Sequence, residues 1–407
     1  MKHVSPKRPR AGMVAYTYYG TDERVKRHVA HLVDAGYDID VITLVDPTRP
    51  SQLPEQDHMR FYYPSARQYD RQGKFQILFA YFGFTLACAW ILLRNHFGAG
   101  RYAIVHVNNM PNFIVFCALP LRVLGVPVVL DLHDNMPEIY QHKFGVEARH
   151  WAIRALYLEE RLSMKFANYC FAATHTQCAR LRENGLRKST SSVLLNLPSP
   201  ARFPEWPLPE SPPPIDGPFR MVYHGTLTPR LGVDLAIRAV ALLRERVREL
   251  RFEITGNGEH RDELVRLAKE LDVTDAVRFS EGFVPTERLA ELLRGAHLGV
   301  IPSRDTIATK VMLPVKLLEY AQLGIPCVTA ITPTIQHYFD ESMARFVPPE
   351  SPEAIADQIE YLYRHPDLRL ETARNARRFF EKYNLDSERA RYIDTMNALA
   401  GQRAPRA

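Results

Sequence analysis

"PSPARFPEWPLPESPPPIDGPFRMVYHGTLTPRLGVDLAIRAV", residues 198–240, sets out the architecture of this 407-residue chain. Up to Pro218 it is too dense in proline for a helix interior or a central strand, because each proline lacks the N–H that either ladder needs. From Phe219 the pattern changes to a short apolar run, a glycine turn and a helical repeat. A break followed by a restart implies two domains, as does a length beyond the size at which one core stops growing.

Both sides of the break alternate in the same way. Upstream, "GMVAYTY" and "DIDVITLV" read as strands around the helix "ERVKRHVAHLVDAG", which ends at Gly36. "YAIVHVNN", "VPVVLDLHD" and "YCFAATHTQ" continue the strands, with the helix "WAIRALYLEERLSMKFAN" before the last, and "SSVLLNLPSP" closes the set. Downstream, "FRMVYHG", "LRFEITGNG", "AVRFSEG", "HLGVIPS" and "IPCVTAI" alternate with helical patterns. Strands separated by helices imply parallel sheets covered on both faces, hence two Rossmann-like doubly wound α/β domains facing across a cleft at their carboxyl ends. The expected division is 1–197, a connector over 198–218, a second domain over 219–375, and a helical segment 376–407 returning toward the first.

Apolar residues make up 46% of the chain, enough for substantial cores, and the net charge of +6 is spread through mixed-sign helices. That balance permits contact with anionic surfaces, and no nucleic-acid partner is expected. Five cysteines without a CxxC pair read as buried thiols of a cytoplasmic protein. The first twenty residues lack the apolar run of a signal peptide. "FQILFAYFGFTLACAWILL", 75–93, is 19 residues without a charge, at the lower limit for a membrane span. Gln76, Gly83 and Thr85 dilute it and an α/β pattern follows at once, which favours a domain helix over interfacial docking and docking over a span. The expected location is cytoplasmic, with peripheral contact at the inner face of the cell membrane.

Three constellations carry chemistry. Gly225 follows a strand and Gly232 opens a helix, so backbone N–H groups and Arg230 can meet an anion there; Gly256-Asn257-Gly258 is a second strand-to-helix turn. Taken singly, each is equally well a structural turn of a doubly wound domain. In "MLPVKLLEYAQLGIPCV", 312–328, Pro314 suits a helix start and Gly324 its C′ position. Lys316 and Glu319, three residues apart, share a face: a cation for phosphate and a carboxylate for vicinal sugar hydroxyls, or simply a surface ion pair.

Taken in order, "YHGTLTPRLG", "ITGNGEH", "RFSEGFVP" and "LLEYAQLGIPCV" resemble glycosyltransferase family 4, retaining enzymes of GT-B fold that use nucleotide sugars, over nearly the whole chain. The resemblance implies that Glu319 matches the second acid of a paired-glutamate motif and binds the donor ribose. It implies that Gly225, with Thr226, faces the diphosphate, and that Gly256, Asn257, Phe283 and Val284 border the base. The family's arginine after the first glycine and lysine before the later one are Thr226 and Leu231 here. Arg230 and Lys316 are the candidate replacements. The first acid's position holds Val311, and Asp305 is the candidate substitute.

In the first half, "VVLDLHDNMPEIY" ends a buried strand in a polar cluster, where doubly wound folds bind ligands. His133 can donate to a sugar hydroxyl or phosphate with Asp134 or Glu138 orienting it, or it can cap a loop. The resemblance favours His133 beside the donor sugar as a catalytic residue with Arg230 and Lys316. The acceptor-side candidates are Tyr19, Gly20, Arg24, Asn109 and Asp134.

No cofactor and no metal is expected, since Arg, Lys and helix N-termini stabilise a leaving diphosphate without one. The expected partners are a UDP- or GDP-sugar donor and a saccharide or lipid-linked saccharide acceptor. The expected activity is hexosyl transfer in polysaccharide or glycolipid biosynthesis. An epimerase or hydrolase on the same fold, or an inactive nucleotide-sugar-binding scaffold, fits the same residues. An NAD-dependent oxidoreductase is disfavoured because no GxGxxG follows the first strand.

Overall fold

The structure is a computed structural model that describes residues 8–45, 57–65, 74–247, 249–281 and 284–401. The chain forms two compact units, Met1–Leu195 with Leu385–Ala407, and Asn196–Asn384.

The first unit carries β1 (Arg10–Ala15), β2 (Asp38–Ile42), β3 (Met59–Tyr62), β4 (Tyr102–Asn108), β5 (Val128–Leu132), β6 (Tyr169–Ala172) and β7 (Ser191–Val193). They make a sheet in the order β3-β2-β1-β4-β5-β6-β7 with every pair parallel. All residues of β1 and β5 are buried, as expected of strands covered on both faces. Helix α1 (Glu23–Asp34) starts where Asp22 Oδ1 accepts from the Val25 N–H at 3.1 Å.

Helix α2 (Lys74–Gly98) contains the long apolar stretch. A Cβ on Gly12 would come within 2.9 Å of Leu92, so the glycine in β1 is what lets α2 lie close to the sheet. Near its end Asn95 Nδ2 donates to Asp40 at 3.1 Å and His96 Nδ1 accepts from the Tyr102 N–H at 3.1 Å. Asp40 itself pairs with Arg10 at 2.5 Å in the interior, which gives the "DID" stretch a structural task.

The final helix, Leu385–Leu399, completes the first unit. Tyr392 is fully buried with its hydroxyl 2.8 Å from His106 Nδ1, Tyr37 donates to Asn397 at 2.8 Å, and the Leu195 N–H donates to Glu388 at 2.8 Å.

The second unit carries β8 (Phe219–His224), β9 (Leu250–Thr255), β10 (Val277–Phe279), β11 (Leu298–Ile301), β12 (Cys327–Ala330) and β13 (Arg345–Val347), again all parallel, in the order β10-β9-β8-β11-β12-β13. The order reverses between β8 and β11, and a ligand crevice opens at such a switch point beyond the carboxyl ends of the strands.

Three boundaries differ from the sequence reading. The proline-rich stretch is docked on the second unit: Phe203 is buried, Arg374 donates to the Pro209 and Glu210 carbonyls at 2.6 and 2.7 Å, and Arg377 donates to that of Trp206. Prolines remove donors but leave acceptors, and arginines find them. The chain leaves the second unit after Asn384, later than 375, because Phe379 is buried there against Phe339. Only Tyr169–Ala172 of "YCFAATHTQ" is strand; Thr174 caps a helix from His175, accepting from the Gln177 N–H at 3.0 Å. All five cysteines are free and buried.

Candidate functional site

At the switch point of the second unit, two glycine turns interlock. Gly225 donates to the Thr255 carbonyl and Leu227 to that of Asn257, both at 2.9 Å. A Cβ on Gly256 would fall 1.9 Å from the Gly225 oxygen, and one on Gly258 would fall 2.2 Å from that of Leu227. Only glycine permits this approach. Thr226 and Asn257 stand exposed at the tips of the two turns.

The helix Val315–Leu323 delivers two side chains to the end of β8. Leu317, Leu318 and Ala321 are buried, which turns Lys316 and Glu319 the other way. Lys316 Nζ donates to the Tyr223 hydroxyl at 2.8 Å and lies 4.0 Å from the centre of its ring. The same ammonium would be 3.4 Å from a Cβ on Gly225, so the glycine keeps its approach to the turn open. The Tyr223 hydroxyl in turn donates to the Thr226 carbonyl at 2.9 Å.

Burial pushes the Lys316 ammonium down to about 7; Glu319 opposes the shift and Arg230 adds to it. Two cations thus repel each other beside exposed backbone, and an anion between them would relieve that repulsion. The first N–H groups of the helix, which have no partner within it, add to the attraction for an anion.

His224, the last residue of β8, lies with Nε2 2.5 Å from Glu319 Oε2 and Nδ1 3.1 Å from the Tyr320 hydroxyl. Tyr320 reaches it by crossing β11 at Gly299, where a Cβ would meet its ring at 2.5 Å. The His224, Tyr223 and Tyr320 roles escaped the sequence reading, although a histidine closing an apolar strand just before the turn glycine was a usable signal. Arg230 Nη1 contacts Met312 Sδ at 3.8 Å. Asp305 is half exposed and pairs with Lys310 at 3.4 Å. Val284 is half-buried in its loop, while Phe283 lies outside the described residues.

In the first unit His133 follows β5, at the carboxyl end of the sheet. Its Nδ1 is buried without a hydrogen-bond partner, and Nε2 lies 3.8 Å from Asp134. Asn109 holds this loop: its Oδ1 accepts from the N–H groups of His133 and Asp134 at 3.0 and 3.3 Å, and its Nδ2 donates to the Asp134 carbonyl at 2.8 Å and to Asn112 Oδ1 at 2.9 Å. The acceptor-side role expected of Asn109 is therefore corrected to loop support, since its amide is fully engaged. Arg24 is corrected likewise: it is buried and binds both Asp131 oxygens at 2.6 Å and the Leu194 carbonyl at 3.2 Å. Tyr19 and Gly20 are half-buried in a short turn, with Tyr19 packed edge-on against Phe61. Glu138, weighed as an orienter of His133, instead pairs with Arg180 at 2.5 Å.

Among the described residues, His28, His106 and Asp131 bring three ligand-type atoms within 4.8 Å of one another. Arg24 donates to both Asp131 oxygens at 2.6 Å, so the carboxylate's charge is already balanced by the guanidinium and a cation here would meet that positive charge. Burial alone would raise the Asp131 carboxyl, but the guanidinium holds it below its ordinary value; burial pushes His28 far down and His106 to about 4.

Two parallel α/β units, the second with a glycine-lined, cation-bearing switch point, define the GT-B class of glycosyltransferase fold. The chain belongs to that class by family as well: residues 205–379 match the model of Glycosyl transferases group 1, and residues 20–196 match a Glycosyl transferase 4-like domain. It is 27% identical over 325 residues to the alpha-D-kanosaminyltransferase of Streptomyces kanamyceticus, covering 73% of this chain and 78% of that protein. Sucrose-phosphate synthase from Thermosynechococcus elongatus shares the fold with a TM-score of 0.76 at 17% identity, over 97% of this chain and 100% of that one. Anabaena HepE, solved with UDP-glucose, does so with a TM-score of 0.70 at 14% identity, over 96% of this chain and 99% of that one.

Proposed function

We propose that this glycosyltransferase is a retaining enzyme that moves a hexosyl group from a UDP- or GDP-sugar to a hydroxyl of a saccharide or lipid-linked saccharide, in polysaccharide or glycolipid biosynthesis at the cytoplasmic face of a membrane. The observation that carries the reading is the pairing, on one helix, of the Lys316 ammonium beside Gly225 with the Glu319 carboxylate one turn later. The binding of UDP-glucose by the Anabaena neighbour supports a nucleotide-sugar donor.

In this reading Glu319 accepts hydrogen bonds from the two ribose hydroxyls through the oxygen that His224 leaves available. The loops at Gly256, Asn257 and Val284 border the base. The Gly225–Thr226 turn, Arg230, Lys316 and the helix N-terminus hold the diphosphate and neutralise the charge that builds on it as the bond to the sugar breaks. The acceptor oxygen bonds to the anomeric carbon on the face the diphosphate leaves, and its proton passes to the departing phosphate oxygen. Bond making and breaking balance without a protein nucleophile or a metal. His133 donates to the transferred sugar, and Tyr19, Gly20 and Asp134 serve the acceptor side.

Calorimetry with UDP, GDP and their common sugar conjugates tests the reading on wild type and Glu319→Ala. One nucleotide should bind, and the substitution should weaken it about tenfold or more, the value of hydrogen bonds to a charged group. No binding by any nucleotide, or binding indifferent to the substitution, would overturn it.

A further inference from the structure

We infer that α2 is an in-plane docking helix that seats the first unit on an anionic lipid bilayer. The inference rests on the proposed function only for what the docking would serve, delivery of a lipid-linked acceptor.

The helix has two apolar faces with different fates. Leu78, Phe79, Phe82, Leu86, Trp90 and Phe97 fall within an arc of about 120° on a helix of 3.6 residues per turn. All six are at least half exposed, Phe79 by 74% and Trp90 by 66%. The opposite arc, with Phe84, Thr85, Cys88, Leu92 and Asn95, is buried in the unit. Leu119, Val123 and Leu124, exposed on and just after helix α3 (Leu119–Val123), which packs beside α2, extend the apolar surface. Water-soluble monomers rarely leave so many large side chains together in water.

Length and composition alone would allow the segment Gln76–Gly98 to cross a membrane, with a mean hydropathy of 1.9. A span would have to strip Leu92 from Gly12, Asn95 from Asp40 and His96 from the Tyr102 N–H. Lying in the interface keeps those contacts and buries the outer arc.

Charge selects the occupant. From Phe75 to Leu130 the chain has no Asp or Glu, and its cations are Arg94, Arg101 and Arg122. Arg94 follows Trp90 by one turn, and Arg94 and Arg101 are both exposed. A second copy seated face to face would set these cations against each other, whereas anionic headgroups would pair with them while the acyl region receives the aromatic rings.

Vesicle sedimentation without any donor tests the inference, using phosphatidylglycerol-containing and pure phosphatidylcholine vesicles. Wild type should bind the anionic vesicles, more weakly as salt rises, and should be released by alkaline carbonate. Phe82→Glu with Trp90→Glu should lower the partition coefficient by about tenfold or more for each side chain withdrawn from the bilayer. Arg94→Gln with Arg101→Gln should flatten the salt dependence. Bilayer binding should shift the tryptophan fluorescence to the blue, and Trp90→Phe should remove that shift. These positions are exposed, and nucleotide calorimetry and thermal melting on the same samples report the fold and the donor site separately, so either reading can fail alone. Absence of vesicle binding, binding unaltered by the Phe82 and Trp90 changes, retention through carbonate, or a dimer dissolved by those changes in a protein that ignores vesicles would overturn the inference.

Discussion

His224 Nε2 stands 2.5 Å from Glu319 Oε2, joining the last residue of β8 to the middle of the helix Val315–Leu323. With Tyr320 on its other nitrogen, the imidazole is held at both ends and fixes the direction in which Glu319 points. A carboxylate so oriented loses little freedom when it meets a ligand.

His224→Ala should therefore weaken nucleotide binding about tenfold while Glu319 remains in place, on the scale of one hydrogen bond to a charged group. His224→Gln, which retains one donor, should recover part of the loss. Calorimetry on both variants checks this, and equal affinity in wild type and His224→Ala would count against the support role.

Lys316 titrates near 7 in the free protein, against an ordinary value of 10.5. A diphosphate beside it favours the ammonium and raises that value, so binding above pH 7 takes up a proton and affinity falls as pH rises, by up to about tenfold per unit. Without ligand, the unfolded chain holds this proton to higher pH than the folded one, so the same group makes stability rise from about 7 toward 10.5. Calorimetry in buffers of different ionisation enthalpy should show the proton uptake in wild type and none in Lys316→Met.

Gly299→Ala should disturb the site from beneath. Its Cβ would meet the Tyr320 ring at 2.5 Å, and moving the ring takes the Tyr320 hydroxyl from His224. Overpacking of this kind costs about 1–3 kcal/mol. A lowered melting temperature and weaker nucleotide binding are expected together, and Tyr320→Phe, which removes only the hydroxyl, should reproduce the binding defect with a smaller loss of stability.

Arg24→Met should leave the buried Asp131 without its partner and destabilise the protein by about 3–5 kcal/mol, whereas Arg24→Met with Asp131→Leu should recover most of it. In wild type the Asp131 carboxyl titrates below its ordinary 3.8, so the pair's contribution is present above that value and is lost as pH falls through the lower folded one. Denaturant unfolding of both variants, and of wild type from neutral to acid pH, measures these effects.

The alternation of strand and helix, the proline-rich break at 198–218 and the ordered glycine turns made both units readable along the chain, because each is a local pattern. The pairing of Lys316 and Glu319 was readable for the same reason: helical spacing alone puts them on one face. Arg24 and Asn109 were misread as acceptor-side residues because a polar residue near a strand end looks the same in sequence whether it faces a ligand or closes a buried hydrogen-bond network.

What joined β8 to the helix Val315–Leu323 lies 95 residues apart in the chain, as His224 and Glu319 show. The sequence by itself determined the two doubly wound units, the turns and the residue types available at their ends. Tertiary structure alone decided which groups meet: that Tyr223 receives Lys316, that His224 orients Glu319, that Arg24 is spent on Asp131, and that one face of α2 is buried while the other is left uncovered by the fold. Periodicity fixes the direction of a side chain relative to its own element; its partner is set by sheet order and by the few glycines, Gly12 and Gly299 among them, that let elements approach.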